Sequence, residues 1–118
     1  MKRLIAIFSV LGLALAGAAL AADAPSGDAV HGKQLFTTIG CSYCHGTAGQ
    51  GGGGRTGGQR IARLGIGYKA FLNQLRHPVN EMPPYVEAVL PDKDVADIFA
   101  FVSCLAPPPD VKSIPLLN

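Results

Sequence analysis

Cys41-Ser42-Tyr43-Cys44-His45 decides the reading of this chain. Two thiols separated by two residues and followed at once by a histidine form the pattern of covalent c-type haem attachment. Each thiol can add to one of the two vinyl groups of a porphyrin, and the histidine then falls beneath the iron as its proximal ligand. Two other chemistries use paired cysteines, and neither fits. A thioredoxin-type redox pair needs strands around the motif and has no use for His45. A zinc site would lack enough ligands at suitable spacing. The expectation is one covalently bound haem c, with its iron.

The start of the chain agrees. Lys2 and Arg3 form a short positive region, residues 4–20 are apolar and uncharged, and Ala19-Leu20-Ala21 offers small residues for cleavage. This is the pattern of a secretory signal peptide over residues 1–21. A retained membrane anchor is the alternative, but the run is short for a span and rich in Ala and Gly. No cysteine stands near the cleavage point to accept a lipid. Because c-type haem is attached after export, leader and motif predict one another and point to the periplasm. The expected organisation is a leader at 1–21, one domain at 22–106 and a Pro-rich apolar tail at 107–118, with no membrane span after cleavage.

Ten basic against eight acidic residues give the 118-residue chain a formal charge of +2. Lys2 and Arg3 account for that excess, so the exported protein is near neutral, which argues against nucleic acid as a partner. The distribution is uneven. Arg55, Arg60, Arg63, Lys69 and Arg76 follow one another with no acid between them, and Asp92, Asp94, Asp97 and Asp110 come later. Such asymmetry can steer a redox partner. The plainer reading is a solvated mixed surface, with some cations compensating the haem propionates. A domain this small, with 15 glycines and 9 prolines in the whole chain, buries a limited core. A haem would supply the missing apolar plate.

Helical spacing appears three times. Asp28 is a plausible N-cap for a helix over 29–39, with Leu35, Phe36 and Ile39 on its apolar side. Gly32 and Phe36, four apart, share a face, and the glycine would admit another helix closely. Residues 68–77 carry Tyr68, Phe71, Leu72 and Leu75 at helical intervals until Pro78. Residues 92–105 form the strongest pattern, with Val95, Ile98, Phe99, Phe101, Val102 and Leu105 apolar and Asp92 and Asp94 at the positive end. Between the motif and Gly58 runs a glycine-rich loop that neither helix nor strand survives. It lacks the Gly-Lys-Ser/Thr ending of a phosphate loop and is expected to cover the proximal side of the haem. No stretch alternates like a sheet, and there is no internal repeat.

The sixth position of the iron sets the function. Of two methionines, Met1 belongs to the leader, so Met82 is the remaining thioether. A lone methionine is ordinarily core filling, but Pro83 and Pro84 after it make a stiff strap suited to hold a weak ligand. His77, just before Pro78, and His31, pointing most simply to solvent, are the rivals. Tyr85 is expected to pack or hydrogen-bond at the haem edge. Cys104 is left over and reads first as buried packing. Disulfide dimerisation is the minority reading. The tail, with Ile114, Leu116 and Leu117, can fold back or insert into a partner.

Together these residues resemble the class I monohaem c-type cytochromes, over about residues 28–105. The resemblance implies an all-α cytochrome c fold of three to four short helices wrapped around one covalently bound haem. Gly32 and Phe36 look like the family's paired positions in the first helix, and Ile98 and Phe101 like their partners in the last. Cys41, Cys44 and His45 match attachment and proximal ligation, and Met82-Pro83-Pro84 matches the distal strap. The implied function is single-electron transfer by His/Met-ligated haem between redox partner proteins, by a monomer or complex subunit rather than an enzyme. The alternatives are a cytochrome subunit of a periplasmic dehydrogenase or oxidase complex, and an enzyme or gas sensor using an iron opened by loss of Met82. Two departures stand out. The Gly-Pro pair whose carbonyl usually receives the proximal imidazole is absent from Arg55-Thr56-Gly57-Gly58-Gln59. The last helix opens with Pro91-Asp92 instead of a serine cap, so Asp92 is expected to take over that role.

Overall fold

The computed structural model describes residues 24–55, 57–107 and 109–117, and the expected leader at 1–21 lies outside the described residues. The chain runs through α1 (Ala29–Thr38), α2 (Cys41–His45), α3 (Tyr68–Arg76) and α4 (Asp92–Cys104). Two single 3-10 turns follow at Val111–Ser113 and Pro115–Leu117. There is no strand among the described residues, so the all-α expectation holds. No helix among them is long and apolar enough to cross a membrane.

α1 begins as its sequence dictates. The Asp28 carboxylate accepts from the amides of Val30 at 2.8 Å and His31 at 3.2 Å, satisfying two donors that the first helical turn leaves free. The helix then crosses α4 at Gly32, where a Cβ would overlap the Asp97 carbonyl. Backbone meets backbone there, which only a residue without a side chain permits. Gly27 makes the same kind of approach to the Ala96 carbonyl. One turn on, the Phe36 and Phe101 rings lie 5.4 Å apart and tilted by 59°, a favourable aromatic geometry.

Asp97 is 1% exposed, yet fully bonded. It accepts from the Asp28 amide at 2.7 Å, from His31 Nδ1 at 2.8 Å and from Lys93 Nζ at 3.1 Å. His31 therefore does not point simply to solvent. It is half-buried and ties α1 to α4, because a buried carboxylate must collect donors from whatever packs against it. α3 packs Tyr68 and Phe71 around Phe99, with ring centroids at 5.7 and 5.3 Å. Phe36, Leu75, Leu90, Val95, Ile98 and Val102 complete the buried core.

Two further expectations need correcting. Cys104 is exposed, not packed inside. It falls at the last turn of α4, where the helix has run past the core, and its thiol donates to the Phe101 carbonyl at 3.1 Å. Asp92 does not cap α4. Pro91 occupies the cap without a side-chain bond, and the Asp92 carboxylate pairs with Arg76. In the tail, Asp110 caps the first 3-10 turn and Leu116 is exposed.

Candidate haem site

α2 is one short turn of helix that starts at Gly40, whose φ of 95° is left-handed. That glycine breaks the chain direction between α1 and the motif at little steric cost. Within α2, Cys41, Cys44 and His45 stand at i, i+3 and i+4 and so share one face. No disulfide joins the thiols, leaving both sulfurs available. Cys41 is half-buried and Cys44 exposed. Burial pushes the Cys41 thiol above its ordinary value. A thioether, which has no proton to lose, suits that apolar position.

The His45 ring donates from Nδ1 to the Gln59 carbonyl at 2.7 Å. With Nδ1 protonated, Nε2 carries the lone pair for a metal, and the bond fixes the ring's orientation. The missing proline is thus no obstacle, since the bond uses the main chain of Gln59. Nothing in that side chain announces it. The residues present fit a haem: two open sulfurs and an oriented imidazole on one helical face.

The glycine run explains itself here. Short helices leave their last carbonyls without partners. At α2 the amides of Gly51 and Gly53 donate to the carbonyls of His45 at 2.7 Å and Cys44 at 3.0 Å. A Cβ at Gly53 would overlap the Tyr43 carbonyl, and one at Gly58 the Cys44 carbonyl. The loop is a close main-chain wrap on α2.

Residues 77–91 form the strap, the irregular segment that connects α3 to α4. Met82 and Tyr85 are half-buried and pack against the same core as Cys41. Tyr85 and Cys41 pack against the same core and influence each other's titration, which sets the strap beside α2. Gln74 Nε2 donates to Met82 Sδ at 3.8 Å, an N–H on one sulfur lone pair that leaves the other for a metal. Arg76 donates to the carbonyls of Tyr85 at 2.6 Å and Leu90 at 2.9 Å. Gln74 and Arg76 did not stand out in the sequence as site residues. Their only signal is position, in the last turn of the helix that feeds the strap.

The two histidines weighed against Met82 sit in different surroundings. His31 is bonded to Asp97 at the helix crossing. His77 is exposed at the end of α3, beside a shallow surface hollow that it shares with Lys69, Leu72, Asn73 and Arg76.

An all-helical fold that presents this motif on its second helix is that of a c-type cytochrome. The chain belongs to the family described as cytochrome c oxidase, cbb3-type, subunit III, whose model matches residues 27–102. The match spans the attachment helix, the strap and α4 to Val102. No curated protein and no solved structure matches the chain.

Proposed function

We propose that this protein is a periplasmic single-electron carrier, holding one c-type haem covalently through Cys41 and Cys44, with His45 and Met82 as axial ligands. The observation that carries the reading is the His45–Gln59 bond of 2.7 Å, which aims the imidazole Nε2 from the same helical face that bears both sulfurs. When bound, the haem iron supplies a one-electron ferric/ferrous couple. The chain's own residues do the rest. Cys41 and Cys44 fix position, His45 is held in one tautomer, and Met82 is presented by a strap that Pro83 and Pro84 stiffen. Phe36, Phe71, Leu75 and Phe101, all buried, keep water from the interior. Residues 1–21 serve as a cleaved leader, 22–106 as the haem domain and 107–118 as a tail.

The family description favours a second reading, that the domain works as a cytochrome subunit within an oxidase complex. Purification from the native membrane and periplasm separates the two: a carrier elutes alone, and a subunit travels with its complex.

Intact mass with a reduced-minus-oxidised spectrum tests the main proposal. A mass increase of one haem after loss of the leader is expected, with the pigment retained on denaturation. Met82→Ala should abolish the weak red absorption band of ferric His/Met haem. A mass equal to the polypeptide alone overturns covalent attachment, and an unchanged band removes Met82 from the iron.

A further inference from the structure

We infer that Arg76 is a positioning residue for the distal ligand: its guanidinium clamps the strap at two backbone carbonyls on the far side of Met82 and so sets how firmly the thioether stays on the iron. The inference rests on Met82 being the ligand proposed above.

A thioether is a weak donor, so what holds it is the segment that presents it. The strap contains no helix or strand between Arg76 and Asp92. Pro83 and Pro84 have no N–H to donate. Beyond Met82 itself, which Gln74 touches, and Glu81, which pairs with Arg55 at 3.4 Å, the strap's main chain is anchored by amides farther along and by side chains that donate to strap carbonyls. Both are found at the end of α3. The Tyr85 amide donates to the Leu75 carbonyl at 2.9 Å. Arg76 Nη1 donates to the Tyr85 carbonyl at 2.6 Å, and Nη2 to the Leu90 carbonyl at 2.9 Å. Met82 thus sits in a loop whose start is the end of α3 and whose return is pinned back to that same turn.

The chemistry of the donor matters. A planar fork reaches two carbonyls at once, which a single ammonium does not reproduce. Charge-assisted bonds are stronger than neutral ones, and the Arg76 side chain is only 16% exposed, so water competes poorly. Asp92 also pairs with the guanidinium but lies beyond the strap, at the start of α4. Both carbonyl bonds run to the strap and not to Asp92, and asparagine there keeps a side-chain oxygen for the guanidinium, which makes Asp92 the natural control.

An added ligand that replaces Met82 must first free the strap, so its apparent affinity reports the clamp. The test is an imidazole titration of the ferric, haem-loaded full-length protein, followed by loss of the red band. Arg76→Leu and Arg76→Lys are expected to bind imidazole about tenfold more tightly, equivalent to about 1.4 kcal/mol. Asp92→Asn should keep the parent constant. If Arg76→Leu does not mature to holoprotein, the Arg76→Lys titration decides. Unchanged imidazole affinity with a lowered melting temperature would make Arg76 merely structural and overturn the inference. A parent protein without the red band overturns the Met82 reading itself, a separate failure seen before any variant is made.

Discussion

Asp97 carries the largest burden of any single side chain at the helix crossing. Its carboxyl is held down at about 2, first by the His31 bond and then by the Asp28 amide, with Lys93 assisting. An unfolded aspartate titrates near about 3.9, so between these values the unfolded chain binds more protons than the native one. The stability this group contributes is complete above about pH 4 and is lost as pH falls through about 2. Urea midpoints measured from pH 5 to pH 2 should therefore fall more steeply for the parent than for Asp97→Asn. Asparagine can still accept the Asp28 amide, but it has no charge to lose and cannot hold Lys93 as an ion pair. Equal slopes in the two proteins would mean that the crossing is not electrostatically tuned. The sequence showed Asp97 only as one of several late acids. Its burial, and the reassignment of His31 from solvent to partner, follow from a helix crossing that no local pattern reports.

Among the elements, the α1–α4 pair was the most legible. The Gly32/Phe36 spacing, the Asp28 cap and the apolar face of the last helix all stand in the structure where periodicity puts them, within one residue at the helix ends. Those features are written in local spacing, which a linear reading captures. The loops were legible in kind but not in detail. The glycine run was recognisable as unable to form helix or strand, whereas its donation to the α2 carbonyls needs three-dimensional knowledge of where those carbonyls lie. The caps show the same contrast: Asp28 follows the rule, while Asp92 is drawn away by Arg76 from the neighbouring helix. Gly32→Ala is the sharp test of the crossing. Its methyl would meet the Asp97 main chain, which cannot yield as a flexible side chain would. Overpacking of this kind costs about 1–3 kcal/mol, read as a lower urea midpoint with an unchanged visible spectrum. Gly52→Ala, where no atom lies near the added carbon, should lose less and only through its left-handed backbone.

At the scale of the whole molecule, the four short helices among the described residues bury few large side chains, and Tyr85 of the strap and Cys41 of α2 pack against the same core. If a porphyrin normally fills the space between strap and attachment helix, a chain unable to bond one should fold poorly, since a group that binds only the native state adds its binding free energy to stability. The double variant Cys41→Ala/Cys44→Ala, exported and purified, is expected to lose its pigment and to show reduced far-ultraviolet helicity with no sharp thermal transition. A cooperative melt like the parent's would show that the polypeptide packs adequately alone. The Cys41–His45 pattern stood out in the sequence because the haem attachment proposed there demands fixed spacing. The supports around it did not, because Gln59 acts through a carbonyl, and Gly51 and Gly53 through amides, that every residue type possesses. That last arrangement has an evolutionary corollary. A cradle stitched from peptide groups leaves no room for a Cβ at Gly51, Gly53 or Gly58, so drift in this family member should spare those glycines and the length of the turn, and show letter changes first at Gly52 and Gly57, where the space is open.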